Sequence, residues 1–227
     1  MIETPSPNFD ARVLPITMIV LHYTGMESAG TALARLTDPA AKVSAHYLID
    51  EDGQVSRLIA EEHRAWHAGK SCWRGVEDIN SASIGIELVN PGHEFGYRPF
   101  TEAQIEALVP LMADIQARYG ITRGNIVGHS DIAPARKQDP GELFPWARLA
   151  KVRLALPRPT RNLIDSNWTE SGFLLALERF GYDVTDRLAA IVAFQRRFRP
   201  ELMDGEVDGE CRAILLALLL PKPQGDD

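Results

Sequence analysis

Two histidines that close apolar runs, an aspartate, a lone glutamate and a lysine are the residues of this chain best suited to chemistry. His22 ends Ile16-Thr-Met-Ile-Val-Leu-His22, and His129 follows Asn125-Ile-Val-Gly128. Asp139 lies beyond His129 in Ser130-Asp-Ile-Ala-Pro-Ala-Arg-Lys137-Gln-Asp139-Pro-Gly141, a segment too rich in charge and proline to be a helix. Two imidazoles and a carboxylate can be the protein ligands of a catalytic zinc whose fourth position is left to water. The same residues also allow a plainer account, because they share no short local motif. On that account the histidines are satisfied at strand ends and Asp139 caps a turn before Pro140. Glu87 is an acid inside the otherwise apolar Ile84-Gly-Ile-Glu-Leu-Val89, and a buried carboxylate needs a partner or a raised pKa. Lys137 brings a cation close to Asp139.

Other constellations compete. His63 and His67 stand four apart, a spacing that shares one helix face, but no glutamate follows His63 at once in the pattern of a zinc helix, and Gly69 and Gly75 disfavour a long helix there. Cys72 with His67 as its base would make a nucleophilic pair, whereas a lone cysteine more often packs as a small hydrophobe. His93 reads as a loop residue. Arg196, Arg197 and Arg199 could bind an anionic ligand, with a solvated helix face as the simpler account.

These residues need elements to hold them. The runs ending at His22 and Gly128, together with Ser83 to Val89, read as buried strands. Ala45 to Ile49 and Val55 to Ile59 flank Asp50-Glu-Asp-Gly53 as a hairpin. Thr101 and Gln104 form a capping box ahead of Ile105, Leu108, Val109, Met112 and Ile115 on one helix face, and Gly120 supplies the C-terminal cap. Pro110 inside that helix predicts a kink, since an interior proline costs about 3 kcal/mol. The first residues, to about Pro15, read as extended and irregular. Strands alternating with helices indicate an α/β layer structure. From Leu156 to Arg161 the prolines mark a linker, after which Phe173 to Phe180, Arg187 to Phe198 and Arg212 to Leu220 predict three short helices without strands. The expected organisation is a mixed sheet flanked by helices over residues 1–157 and a small three-helix domain over 158–227.

Composition sets outer limits. Lys and Arg number 24 against 31 Asp and Glu, a net charge of −7, which argues against a broad nucleic-acid-binding surface. No apolar run approaches the roughly 18 residues of a membrane span. Cys72 and Cys211 are too few and too far apart for a disulfide framework. The N-terminus lacks the basic and apolar regions of a secretory signal, so a cytoplasmic location is expected, or the periplasm and cell envelope if the chain is a trimmed form.

Beyond these patterns, whole strings carry a resemblance. Trp66-His-Ala-Gly-Lys-Ser-Cys-Trp73-Arg-Gly, Asn80, Ser83-Ile-Gly-Ile-Glu-Leu-Val-Asn90 and Gly128-His-Ser-Asp-Ile-Ala-Pro-Ala-Arg-Lys-Gln-Asp-Pro-Gly141 resemble the zinc-dependent N-acetylmuramoyl-L-alanine amidases of the AmpD/AmiD group, related in fold to peptidoglycan recognition proteins and phage amidase-lysozymes. The resemblance runs from about Pro15 to Leu156. A shorter one, through Ala193-Phe-Gln195 and Asp204-Gly-Glu-Val-Asp-Gly209, links the helical part to three-helix peptidoglycan-binding modules. The resemblance implies Zn2+ on His22, His129 and Asp139, with Glu87 as general base and Lys137 as the cation beside the reacting carbonyl. It also implies His46, Trp66, His67 and Asn90 near the substrate. The implied reaction cuts the amide between N-acetylmuramic acid, in its 1,6-anhydro form, and L-alanine of the stem peptide. The alternatives are a non-catalytic muropeptide-binding or regulatory module and a zinc peptidase acting within the stem peptide. The partner implied is a muropeptide or peptidoglycan, without nucleic acid or membrane insertion.

Overall fold

The computed structural model of the chain describes residues 1–161 and 163–220. Among them the strands are β1 (Ile2–Glu3), β2 (Phe9–Ala11), β3 (Met18–Tyr23), β4 (Tyr47–Ile49), β5 (Val55–Arg57), β6 (His63–Ala65), β7 (Ser83–Leu88) and β8 (Ile126–Gly128). The helices are α1 (Ala29–Thr37), α2 (Ile79–Ala82), α3 (Gly92–Phe95), α4 (Glu102–Tyr119), α5 (His129–Ile132), α6 (Trp146–Lys151), α7 (Glu170–Phe180), α8 (Arg187–Phe198) and α9 (Gly209–Leu219). None of them is long and apolar enough to cross a membrane.

Six strands form one mixed sheet in the order β1-β5-β4-β7-β3-β8. The expected hairpin is its antiparallel pair, with Tyr47 opposite Arg57 and Ile49 opposite Val55, while β3 runs parallel to both β7 and β8. The segment before Pro15 is extended as expected, but it is paired. β1 lies along β5, and β2 forms a separate antiparallel ribbon with β6. His63 thus sits on a strand, and its spacing from His67 has no helical meaning.

Strand alternation sorts the side chains of β3 and β7. Ile19, Leu21, Ile84, Ile86 and Leu88 pack against Ile105, Leu108, Met112 and Ile115 of α4. The alternate positions, Met18, Val20 and His22 on β3 and Ser83, Gly85 and Glu87 on β7, face the other way. Helix α4 begins at the predicted capping box, where Gln104 N–H donates to Thr101 Oγ1 at 3.1 Å and Thr101 N–H to Gln104 Oε1 at 3.0 Å. Helix α4 runs as a single element through Pro110. Pro110 and Glu106, whose carbonyl the proline leaves without its helical donor, both lie at exposed positions where water can substitute.

The three C-terminal helices form as predicted, N-capped by Thr169, Asp186 and Asp208; residues 221–227 of the expected domain lie outside those described. The stretch from Leu156 to Thr160 has no regular structure. It does not separate two cores, however, because Met18, Val20, Trp73 and Val127 share one buried cluster with Phe173, Phe180, Phe194 and Ile214. The arginines of α8 are not the solvated face expected of them. Arg197 is 7% exposed and Arg199 1% exposed. Arg197 stacks on Trp146 and donates to the Ile126 carbonyl at 3.1 Å, with Asp131 Oδ2 3.6 Å away. Arg199 pairs with Asp204 and Asp208. Opposite charge is what makes their burial tolerable.

Candidate metal centre and catalytic carboxylate

The ends of β3, β7 and β8 bring the predicted residues together. His22 is paired in register with Glu87, and Leu21 with Gly128, the residue before His129. Asp139 returns on the following loop, where Ser130 N–H donates to its carbonyl at 2.8 Å. His22 Nδ1, His129 Nδ1 and Asp139 Oδ2 form a triangle with 3.0 Å on every side. All three residues are buried, and they are a cluster able to hold a metal ion.

The donor set fits a cation. His129 Nε2 lies 3.0 Å from the Ala68 carbonyl oxygen, which can only accept, so the neutral ring carries its proton on Nε2 and turns the Nδ1 lone pair toward Asp139. A lone pair and a carboxylate oxygen at this distance repel unless a positive charge lies between them. A tetrahedral ion with bonds of roughly 2.0–2.1 Å places its ligand atoms about 3.3 Å apart, close to the observed triangle.

Electrostatics agree. Burial, reinforced by neighbouring His129, pushes His22 down to about 4, so the ring is neutral and free to coordinate. Burial alone would raise Asp139, yet its closeness to His129 and His22 favours the carboxylate and holds it far below the usual range. Glu87 moves the other way. Burial first and the Asp139 charge second push it up to about 8, with Lys137 opposing. Its Oε2 is buried and has no hydrogen-bond partner among the described residues. Glu87 in the metal-free protein therefore holds a proton that the unfolded chain releases near 4.5. Its contribution to stability is complete below that pH and is lost as the pH rises to about 8. Thermal denaturation in chelator should show the wild type losing stability relative to Glu87→Gln across this window. A pH-independent difference would contradict the buried, unpaired state of Glu87.

A cavity of about 350 Å³ opens over the triangle, with Tyr23, Trp66, Glu87 and Lys137 among its walls. A neighbouring groove of about 420 Å³ continues past Trp66, His129, Arg136 and Lys137. Lys137 has no ion-pair partner among the described residues and borders both spaces. Trp66 borders them as well, its indole N–H donating to Asp10 at 2.7 Å.

Three residues expected at the substrate have their polar atoms engaged within the protein. His46 is fully buried; its Nδ1 accepts from Gly85 N–H at 3.0 Å, and its Nε2 faces the His63 carbonyl at 3.2 Å. Asn90 is 1% exposed and spends its amide on the Arg98 carbonyl at 2.8 Å and Gly92 N–H at 3.0 Å. His67 reaches the cavity wall, but its ring nitrogens face His22 and Ser83. Hydrogen bonding within the protein occupies the polar atoms of all three. The rival Cys72 lines a separate groove beside Asp183 and Asp186, so it forms no pair with His67. His93 is part of α3, between Tyr23 and Glu142. Two supports carry little signal in the sequence. Arg136 donates to the carbonyls of Ala68 and Lys70, both at 3.0 Å, bracing the loop behind His129. Ser83 contacts His67, and its only sequence signal is the alternation Ser83, Gly85, Glu87.

Known proteins resemble this chain in sequence and fold. Residues 12–142 match the family model for N-acetylmuramoyl-L-alanine amidase. The chain is 41% identical to the N-acetylmuramoyl-L-alanine amidase AmiD of Escherichia coli over 90% of its length and 82% of the relative's. It is 38% identical to the 1,6-anhydro-N-acetylmuramyl-L-alanine amidase AmpD of Haemophilus influenzae, over 64% of this chain and 88% of that one. The E. coli AmiD structure, solved with its substrate anhydro-N-acetylmuramic acid-L-Ala-D-γ-Glu-L-Lys, superposes with a TM-score of 0.82 at 39% identity, covering 92% of this chain and 91% of that one.

Proposed function

Because the chain belongs to the N-acetylmuramoyl-L-alanine amidase family, we propose that it hydrolyses the amide between 1,6-anhydro-N-acetylmuramic acid and L-alanine of peptidoglycan stem peptides, with zinc held by His22, His129 and Asp139. The observation that carries this reading is the buried 3.0 Å triangle of two imidazole nitrogens and a carboxylate oxygen beside an unpaired glutamate. Two nitrogens and an oxygen are a ligand set of catalytic zinc sites. The chemistry that bound zinc supplies is Lewis acidity, which acidifies water and polarises the scissile carbonyl.

The remaining work falls to the chain's own residues. Glu87 takes a proton from the attacking water as oxygen bonds to the lactyl carbonyl carbon. As the carbon–nitrogen bond breaks, the same carboxyl returns the proton to the departing alanine nitrogen. The products are a lactyl carboxylate and a free peptide amine. Burial raises the Glu87 carboxyl in the metal-free protein, and a metal cation on the neighbouring triangle favours its ionised form, which a general base requires. The Lys137 ammonium, at the edge of the cavity, places a fixed positive charge near the carbonyl oxygen as it becomes negative, an interaction worth roughly 3–4 kcal/mol where one such donor is removed. Trp66 forms a wall for the sugar or the peptide. The helical lobe is assigned the peptidoglycan-holding role of the modules it resembles, and its groove against the amidase lobe, about 500 Å³ in volume, is the surface available.

Mass spectrometry after incubating zinc-loaded protein with 1,6-anhydro-muropeptides tests the reading. The expected result is release of the intact stem peptide from the sugar. A shortened peptide still attached to the lactyl group would make the protein a peptidase, and uncleaved muropeptide with zinc bound would overturn the anhydro-muropeptide as substrate in favour of polymeric peptidoglycan or a binding role.

A further inference from the structure

We infer that Ser83 and His67 form a directional hydrogen-bond chain that locks His22 in the one neutral tautomer able to bind the metal; the inference rests on the metal reading above. The chain starts at a backbone acceptor. Ser83 Oγ donates to the Ile79 carbonyl at 2.6 Å, which commits its single hydrogen. The 3.2 Å contact between Ser83 Oγ and His67 Nε2 must then have His67 as donor. In the uncharged ring this leaves a lone pair on Nδ1. That lone pair faces His22 Nε2 at 3.0 Å, so His22 is the donor there and its own Nδ1 is unprotonated. His22 Nδ1 is the atom in the triangle. A carbonyl three hydrogen bonds away thereby selects the protonation pattern of a ligand.

Two further features support the assignment. A Cβ on Gly85 would fall 2.5 Å from Cγ of His67, so the absence of a side chain on β7 is what admits the ring. Ser83, Gly85 and Glu87 share one face of β7, which carries the hydroxyl, the space for His67 and the acid at consecutive facing positions. Asn80 Oδ1 also accepts from the N–H groups of both His67 and Ala68, at 3.0 and 2.7 Å. Residue 67 supports His22 through its ring and residue 68 supports His129 through its carbonyl, so one asparagine anchors both rear supports. His67 and Ser83 act through His22 and are positioning residues.

The experiment is 15N NMR of the histidines in metal-free protein, together with zinc affinity measured by competition with a chromophoric chelator. In the wild type, His22 should show the Nε2–H form. His67→Phe keeps the ring volume and removes the acceptor, so His22 should lose that preference and zinc should bind roughly 10–100-fold more weakly, the range for loss of a group that orients a metal ligand. Ser83→Ala should shift both readouts in the same direction by less, and it serves as the test if His67→Phe does not fold. A merely structural role would lower the melting temperature without moving the tautomer signals. An unchanged Nε2–H form with unchanged zinc affinity in the folded variants overturns the inference. If the wild type takes up no zinc, the metal reading falls, and the tautomer spectra still decide whether the chain exists.

Discussion

Replacing Glu87 with alanine is expected to leave zinc content at the wild-type level and to lower turnover of an anhydro-muropeptide by about 10²–10⁴-fold, the usual worth of a positioned acid–base group. The two effects separate because Glu87 is beside the triangle and not part of it. His22, His129 and Asp139 keep their 3.0 Å contacts without it. What the variant loses is a carboxyl at the end of β7, opposite His22, whose unpaired Oε2 is available to a reacting proton. His129→Ala should behave in the opposite manner and lose the zinc itself. It removes one corner of the triangle and leaves the Ala68 carbonyl without its ring donor. Elemental analysis of dialysed protein alongside steady-state kinetics checks both. Equal zinc content in the two variants with activity retained in His129→Ala would sink the ligand assignment.

The largest effect on stability is expected from Arg197→Ala, at about 3–5 kcal/mol, the cost of leaving one member of a buried ion pair alone. The Arg197 and Asp131 side chains are only 4% and 3% exposed. Asp131 also accepts from Gly128 N–H at 2.8 Å and from Tyr182 O–H at 2.6 Å. Removing Arg197 takes the guanidinium off Trp146, empties its bond to Ile126 and strands the Asp131 charge against the sheet. Burial already disfavours charge at this position, which lowers the Arg197 pKa and raises that of Tyr182 well above its usual value. Replacing both charges, as Arg197→Met with Asp131→Asn, should recover much of the loss. Urea denaturation of the single and double variants makes the comparison, and a single-variant cost below about 1 kcal/mol would show that the pair is not held as described.

The sequence carries the site more legibly than its surroundings, for a physical reason. His22, Glu87 and His129 end or interrupt apolar runs, and a polar residue there conflicts with burial unless it has work to do. The capping box of α4 and the turn before Val55 are local signals that need no tertiary knowledge. By contrast, α1 buries only Ala32 and Leu36, too thin a stripe to show periodicity. The pairings of β1 with β5 and of β2 with β6 depend on partners dozens of residues away. Residue type misled at Arg197 and Arg199, because the acids and the ring that make their burial tolerable come from elsewhere in the fold. It misled in the other direction at His46, held by backbone groups of Gly85 and His63 and by the Arg12 side chain, and at Asn90, whose partners are backbone groups that no pattern of side chains reveals. The spacing of His67 from His63 is visible in the sequence, while its role depends on Ser83 and Gly85 and thus on the register of a strand.

The shared core beneath the C-terminal helices bears on how this chain can be cut and recombined. In the gene, the helical segment resembles a cassette that could be removed at the proline-rich joint or attached to another enzyme. In the folded protein, Met18, Val20 and Val127 lie in the same buried cluster as Phe173, Phe194 and Ile214 of that segment. Excision would expose a greasy plate to water and invite aggregation, and the helices taken alone would carry a matching exposed patch. The joint is therefore a boundary of reading and not of cooperativity, and the two segments are expected to fold and unfold as one.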